Sequence, residues 1–211
     1  MKKGKGLILI NLDESLFLGR GGERSCYKHP HDERKVIKVI FQKGKHNNQN
    51  QLDYEYFKFL EKNEVEFSRI TRCYSWVDTN LGKGLEFERV NNIDNTKLRT
   101  LSFYIKHNIF TKQYDLMLIN ELREYIFKNE ILFVDASLSN VFCQKLGKED
   151  YKLIIFDGLG ARRTGLKFKL YLMSRIFRKY KIRKQWRRFI YNYNREKSLN
   201  LPIKKEDVNN Y

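Results

Sequence analysis

Hydrophobic and polar positions divide the chain into a strand-rich front and a helix-rich back. Four short runs in the front are rich in β-branched or aromatic residues and predict strands: LILI at residues 7–10, KVIKVIF, RCYSWVDT and GLEFERV. The first of these runs is too short for the apolar core of a signal peptide. One amphipathic helix interrupts the strands, because apolar residues recur there at spacings of three and four: Leu52, Tyr56, Phe59 and Leu60.

The back of the chain follows the polar linker NNIDNT and predicts helices with two short strands. Residues 114–127 predict a helix whose apolar face consists of Leu118, Leu122, Tyr125 and Ile126. The runs ILFVD and KLIIFD predict the two strands, and residues 168–193 predict a basic helical tail. The predicted fold class is α+β. It is a compact two-lobed layout with a β-rich N-lobe containing one helix at residues 1–90 and a helical C-lobe at residues 91–211.

Composition adds a strong positive charge to this layout. The chain has 211 residues, a hydrophobic fraction of 41% and a formal net charge of +17. That charge favours anionic partners such as nucleic acid, anionic lipid or phosphorylated substrates. The three cysteines lie far apart, which argues against a zinc site and indicates reduced thiols in a cytoplasmic protein. No apolar run approaches the ~20 residues that a transmembrane helix requires.

Candidate chemistry in the front begins with a glycine-rich turn and a strand lysine. The glycines of LGRGGERSCYK, Gly19, Gly21 and Gly22, let a backbone approach phosphate oxygens closely, although glycine also marks ordinary hairpin turns. Lys38 lies in the next strand, where protein kinases place a lysine that holds nucleotide phosphates. An exposed strand lysine is the simpler interpretation.

Such a lysine needs a carboxylate on the helix that follows it. Glu55 is the first candidate, and Asp53 and Glu61 are its rivals, since any of the three could be solvated helix charge. Glu88, within the predicted strand GLEFERV, completes the candidate nucleotide contacts.

A second group of candidates lies in FVDASLSNVF and LIIFDGLG. Asp135 and Asn140 have the D-x-x-x-x-N spacing of the kinase catalytic loop, in which the aspartate serves the acceptor hydroxyl and the asparagine binds Mg²⁺. Asp157 ends an apolar strand and precedes Gly158, as a magnesium-binding aspartate does in kinases. An Asx-type turn and an Asp-Gly turn are the simpler interpretations. Together the motifs follow the order found in kinases, which predicts ATP and Mg²⁺ as cofactors.

The chain at this point resembles the kinase-like YrbL family, bacterial proteins whose name links them to the PhoP regulatory network. The resemblance covers nearly the whole chain and rests on LGRGGERSCYKHP, SWVDTNLGKGL, ASLSNVF, IFDGLG and KIRKQWRRF. It implies a protein-kinase-like fold. It also implies nucleotide contacts at Gly19, Gly21 and Lys38, a catalytic acid at Asp135, and metal ligands at Asn140 and Asp157.

Three departures from the kinase pattern shape the functional hypotheses. Phe133 stands where kinases prefer histidine, Arg24 stands where the third glycine is expected, and no A-P-E motif follows Gly160. The missing A-P-E motif argues against a long peptide-docking segment, so that a small-molecule or glycan hydroxyl is favoured as the acceptor. A core sugar of bacterial lipopolysaccharide is the first candidate, based on family association and the basic tail. A nucleotide-binding pseudokinase and a regulatory protein kinase are the alternatives.

The basic tail carries most of the net charge, with 16 lysines and arginines against 3 acidic residues in residues 161–207. The simplest interpretation is two packed helices with solvated basic faces. A basic amphipathic helix also suits an anionic membrane, so that peripheral contact at the inner membrane through residues 162–190 is an alternative. Nucleic-acid binding rests on charge alone.

Overall fold

A computed structural model describes three stretches of the chain, residues 9–41, 49–163 and 165–199. Its strands are β1 (Phe17–Arg20), β2 (Arg24–Lys28), β3 (Lys35–Ile40), β4 (Cys73–Thr79), β5 (Gly82–Glu88), β6 (Arg99–Thr100), β7 (Val141–Lys145) and β8 (Tyr151–Ile155). Its α-helices are α1 (Gln49–Lys62), α2 (Leu101–Lys106), α3 (Lys112–Lys128), α4 (Leu166–Met173) and α5 (Arg175–Lys197). The chain is therefore mixed α+β, with a β-rich front and helices towards the C-terminus, as predicted.

The chain divides into two compact units. The first is drawn from Met1–Phe57 and Arg72–Arg89, and the second from Lys58–Thr71 and Val90–Tyr211. The first unit thus takes in the beginning of α1, whereas the last turn of that helix belongs to the second unit.

An antiparallel sheet of five strands, in the order β1-β2-β3-β5-β4, forms the first unit. Its core cluster consists of Ile10, Leu12, Tyr27, Ile37 and Val39. The predicted first strand, residues 7–10, falls partly outside the described residues. Of its described part, Leu9 is exposed and Ile10 forms an isolated parallel bridge with Thr79.

Helix α1 buries the apolar face that the sequence predicts. Leu52 and Tyr56 are fully buried in the first unit; in the second, Leu60 is fully buried and Phe59 is half-buried. The spacing of three and four places such residues on one side of a helix, which explains why this prediction is confirmed.

The second unit contains α3 and a small antiparallel sheet in the order β6-β7-β8. Helix α3 buries its predicted face, Leu118, Leu122, Tyr125 and Ile126. The predicted strand KLIIFD corresponds to β8, but its partner β7 lies in VFCQK, which is not among the predicted strands. The run ILFVD forms no strand; its Phe133 makes only an isolated bridge with Leu159. A short apolar run is equally compatible with a strand and with a buried irregular segment, and here Ile131 and its neighbours are buried without strand pairing.

The predicted helical tail forms two helices, α4 and α5, which are separated at Ser174, whose backbone is extended (φ −109°, ψ 114°). The second half of α5 is firmly packed. Lys197 Nζ lies 2.8 Å from the buried carboxylate of Asp115 on α3, and Ser102 Oγ of α2 donates to Glu196 at 2.5 Å. Burial raises the pKa of Asp115, although Lys197 opposes this shift. Among the described residues, no helix combines the length and apolar character needed to span a membrane.

Candidate functional site

The loop around Asp135 in the second unit brings the predicted aspartate and asparagine together. Asn140 Nδ2 donates to the backbone carbonyl of Asp135 at 2.9 Å, and Ser137 N donates to the same carbonyl at 2.7 Å. The Ser137 side chain caps the 3-10 helix Leu138–Asn140 by accepting from Ser139 N. These bonds use the backbone of Asp135, and its side chain stays 42% exposed. The five-residue spacing thus closes a turn that presents a carboxylate to solvent.

Gly158 joins Asp157 to this turn. Asp135 N donates to Gly158 O at 2.9 Å, and Asp157 Oδ1 accepts from Gly158 N at 2.9 Å. Gly158 has φ +80°, and a Cβ atom there would lie 2.8 Å from Asp135 Cβ and 2.9 Å from Asn140 Nδ2. Only glycine fits this conformation and this space. Asp135, Asn140 and Asp157 are therefore assembled around one glycine.

The donor set around Gly158 fits a hard cation. Because the Asn140 amide nitrogen binds a carbonyl, Oδ1 is the acceptor atom that this side chain offers to a ligand. Asp157 adds carboxylate oxygens, and Mg²⁺ is usually bound by one or two carboxylates together with substrate phosphates. No cluster of three His, Cys, Asp or Glu residues suited to a metal occurs in the described part of the chain. A magnesium site completed by phosphate oxygens does not need such a cluster.

Arg162 is a functional candidate that the sequence analysis missed. Its guanidinium forms an ion pair with the Asp135 carboxylate across the Asp-Gly turn. The arginine side chain is 53% exposed, so the pair lies at the surface. The available signal was the run ARR directly after IFDGLG. A positive charge therefore lies next to the carboxylate that the sequence predicts as the catalytic group.

Phe133 supports the loop by packing, in the position where kinases prefer histidine. The ring is buried, and its centroid lies 5.9 Å from that of Phe189 on α5. Helix α5 makes a second contact, because Asn192 Nδ2 donates to Ala136 O at 2.9 Å. The loop is therefore anchored to α5 on both sides of Asp135.

The glycines of the first unit's hairpin differ from Gly158 in the space around them and in their backbone conformation. Gly21 N donates to Arg24 O at 2.8 Å, which closes the turn between β1 and β2. A Cβ atom at Gly19 or Gly22 would meet nothing within 4 Å. Neither these two glycines nor Gly21 has a positive φ. The hairpin itself therefore does not require glycine at these positions.

Lys38 lies on the central strand β3 and is buried. Its Nζ atom is 4.5 Å from the ring centroid of Phe87, and its backbone carbonyl accepts from Asn50 Nδ2 of α1 at 2.9 Å. The lysine that the sequence predicts as a nucleotide contact therefore lies at the centre of the five-stranded sheet.

The three candidate helix carboxylates have different partners. Asp53 is buried and forms an ion pair with Arg24 at 2.5 Å, whereas Glu55 is exposed and accepts from Gln51 at 2.8 Å. Glu61, in the second unit, pairs with Lys58 at 2.6 Å. Arg24, which stands where the third glycine is expected, thus serves to anchor α1 to the sheet.

Two acidic residues of β5 have partners in or next to neighbouring strands. Glu88, a predicted nucleotide contact, accepts from Arg72 N at 3.0 Å. Glu86, which the sequence analysis did not single out, is buried and accepts from Ser75 Oγ at 2.6 Å and Lys35 Nζ at 3.2 Å. It also lies 3.2 Å from His29 Nε2; burial lowers the pKa of that histidine, and Glu86 opposes the shift.

Comparison with known proteins places these features in a family. A sequence model described as PhoP regulatory network protein YrbL matches residues 10–194, a range that includes the glycine hairpin, the Asp135 loop and most of α5. Proteins named uncharacterized protein YrbL, from Escherichia coli and Shigella flexneri, are each 23% identical over 155 residues. The matched regions cover 72% of this chain and 74% of each relative. The chain belongs to the YrbL family of PhoP regulatory network proteins.

Proposed function

We propose that the protein is an ATP- and Mg²⁺-dependent phosphotransferase with a protein-kinase-like fold. The observation that carries this proposal is the assembly of Asp135, Asn140 and Asp157 around Gly158. A D-x-x-x-x-N loop next to a strand-end Asp-Gly is the pairing that kinases use for acceptor and metal binding.

The first unit supports the proposal independently. Its antiparallel sheet has Lys38 on the third strand, and a helix is the next described element along the chain, as in the nucleotide-binding lobe of a kinase. Its hairpin carries Gly19, Gly21 and Gly22 where local geometry does not demand glycine. Bare backbone in a turn suits close approach to phosphate oxygens, and this use accounts for residues that the fold leaves unexplained.

Each residue has a defined role in this proposal. The exposed carboxylate of Asp135 orients the acceptor hydroxyl and accepts its proton, while Lys38 binds nucleotide phosphates. Asn140 Oδ1 and the Asp157 carboxylate would hold the cation. When bound, Mg²⁺ supplies neutralisation of the charge on the phosphoryl group. Phosphoryl transfer depends mainly on such positioning and charge compensation.

The surroundings of Asp135 favour a small or glycan acceptor that carries negative charge. Arg162 places a guanidinium beside the carboxylate that would receive the acceptor hydroxyl. An acceptor with its own phosphate or carboxylate could bind this arginine and release Asp135 from the ion pair. A phosphorylated lipopolysaccharide core sugar has this chemistry.

A turnover assay tests the proposal directly. Purified protein with Mg-ATP should transfer phosphate to an anionic glycan, or hydrolyse ATP slowly without one. Asp157→Ala and Asp135→Asn should each abolish the signal. Asp150→Asn, an exposed acid in the β7–β8 connection, is the matched control and should retain it. The proposal is wrong if neither activity is detected, or if all three variants match the wild type.

A nucleotide-binding pseudokinase is the second candidate, and the ion pair between Arg162 and Asp135 favours it. If this pair keeps the carboxylate from any acceptor, ATP should raise the melting temperature while no turnover occurs. Turnover that is lost in Asp135→Asn would exclude this candidate. Turnover that appears only in Arg162→Gln would show that the ion pair blocks an otherwise competent site.

A further inference from the structure

Apolar side chains stay exposed along α4 and in the first turns of α5. Leu166, Met173 and Ile176 are 86%, 85% and 80% exposed, although farther along α5 Ile182 and Phe189 are buried. Three more large apolar side chains are exposed in the same region. We call the complete set the elbow patch: Leu166, Leu170, Met173, Ile176, Phe177 and Tyr180.

The elbow that carries this patch is held in place by Arg178. Its Nη1 atom donates to the carbonyls of Tyr171 and Leu172 at 3.0 and 3.1 Å, which caps the C-terminal end of α4. Its Nη2 atom binds the Glu130 carboxylate at 2.9 Å. The turn between the two helices is therefore held by hydrogen bonds, and the patch is exposed on an ordered part of the chain.

Exposed cations lie next to the elbow patch along α4 and α5, and we call them the cationic rim. Lys167 and Lys169 flank the patch on α4, and on α5 Arg183 and Lys184 follow Tyr180 at helical spacing; all four cations are exposed. Burial lowers the pKa of nearby Lys181, and Lys184 and Arg162 lower it further, as expected where positive charge is concentrated. Within residues 165–199 the acidic residue is Glu196, which is buried far along α5.

We infer that the elbow patch docks on the surface of an anionic phospholipid bilayer. The apolar side chains would enter the headgroup region, and the surrounding lysines and arginines would bind lipid phosphates. Exposed Leu, Met, Ile and Phe side chains within a cationic rim are typical of helices that lie in the membrane interface. A polyanion such as nucleic acid would use the rim but not the aliphatic side chains. A second copy of the chain would bring the same cations face to face.

Vesicle co-sedimentation of the full chain tests this inference without reference to catalysis. Wild-type protein should bind vesicles of phosphatidylglycerol and phosphatidylcholine in equal parts, and bind vesicles of phosphatidylcholine alone far more weakly. The double variant Ile176→Ser and Phe177→Ser should partition at least about tenfold less, because each side chain loses apolar burial. Tyr191→Ser, an exposed residue farther along α5, is the matched control and should bind as the wild type does.

Substitutions that remove positive charge test the contribution of the cationic rim to vesicle binding. Lys167→Gln with Lys169→Gln should weaken binding about 25-fold, or about fivefold per lysine at ~1 kcal/mol each. Lys128→Gln with Lys148→Gln removes the same charge from other exposed positions and should have a much smaller effect. Thermal denaturation should show that all variants are folded, since every substituted side chain is at least partly exposed.

Three results would overturn the inference. The first is equal binding to both kinds of vesicle. The second is unchanged vesicle binding in the Ile176→Ser and Phe177→Ser variant, which would mean that binding depends on net charge alone. The third is a concentration-dependent dimer, without vesicle binding, that this variant abolishes; the patch would then belong to a contact between copies of the chain.

Discussion

The side-chain amide of Asn140 lies 2.9 Å from the backbone carbonyl oxygen of Asp135. This bond ties the two proposed functional residues through the backbone and leaves the Asp135 carboxylate on the surface. The same turn is packed against Gly158, whose backbone carbonyl accepts from Asp135 N. The hydrogen bonds that close the loop therefore also hold the proposed site residues in place. Substitutions in this region should affect stability and activity together.

Gly158→Ala should show this coupling. The substitution puts a Cβ atom within 3 Å of Asp135 and Asn140 at a backbone φ of +80°. We expect it to destabilise the protein by about 1–3 kcal/mol, as strained backbone positions do, and to abolish phosphate transfer. Urea unfolding and the Mg-ATP assay measure the two effects. Gly22→Ala, where nothing lies within 4 Å of the new atom, should stay within about 0.5 kcal/mol of the wild type. Equal losses of unfolding free energy in the two variants would contradict this explanation.

Phe133 should tolerate another apolar residue but not truncation. Its buried ring packs on Phe189, so Phe133→Ala should cost about 3–5 kcal/mol of unfolding free energy. Phe133→Leu should cost about 1.5 kcal/mol and keep activity, because the loop needs a filled volume at this point. Phe133→His provides the contrast, since it restores the residue typical of kinases but buries polar ring atoms. If it is more active than the wild type, packing is not what this position contributes.

Arg24 and Asp53 should depend strongly on each other. Both side chains are less than one-tenth exposed, and their atoms lie 2.5 Å apart. Arg24→Met leaves the buried carboxylate without its guanidinium and should cost about 3–5 kcal/mol, whereas adding Asp53→Leu should recover part of this loss. Arg34→Met breaks an exposed pair with Asp32 and should cost at most about 1 kcal/mol. A double-mutant cycle based on urea unfolding gives the coupling energy between the two residues. Strictly additive effects of the two substitutions would refute the predicted coupling.

The Glu130 ion pairs should give the protein a pH-dependent component of stability. Burial alone would raise the pKa of this carboxyl, but Arg175 and Arg178 hold it below its ordinary value of 4.5. The folded state then binds the proton less readily than the unfolded state. The contribution of Glu130 to stability is therefore fully present above the pKa of this carboxyl in the unfolded chain. It is lost as the pH falls through the lower pKa of the folded protein.

The difference in unfolding free energy between the wild type and Glu130→Gln measures this component. We expect about 1–3 kcal/mol at neutral pH and a progressive decrease in acid. Glu149→Gln changes an exposed acid in the β7–β8 connection and should show no such trend. A difference that stays constant into the acid range would mean that ionisation of Glu130 does not stabilise the elbow.

The sequence by itself determined the features that depend on local spacing. Apolar residues three and four apart must share one side of a helix, which was sufficient for the buried faces of α1 and α3. The five-residue interval from Asp135 to Asn140 likewise closes a turn through short-range hydrogen bonds. The kinase-like roles of these residues remain predictions, but their proximity followed from the chain.

Only the tertiary structure decided which partner each surface meets. It paired Asp53 with Arg24, placed Arg162 on Asp135, and left ILFVD buried without a strand partner. It also separated the tail into a packed half and an exposed elbow, although both halves show the same apolar spacing. Periodicity tells which residues share a face, but what covers that face depends on segments far away along the chain.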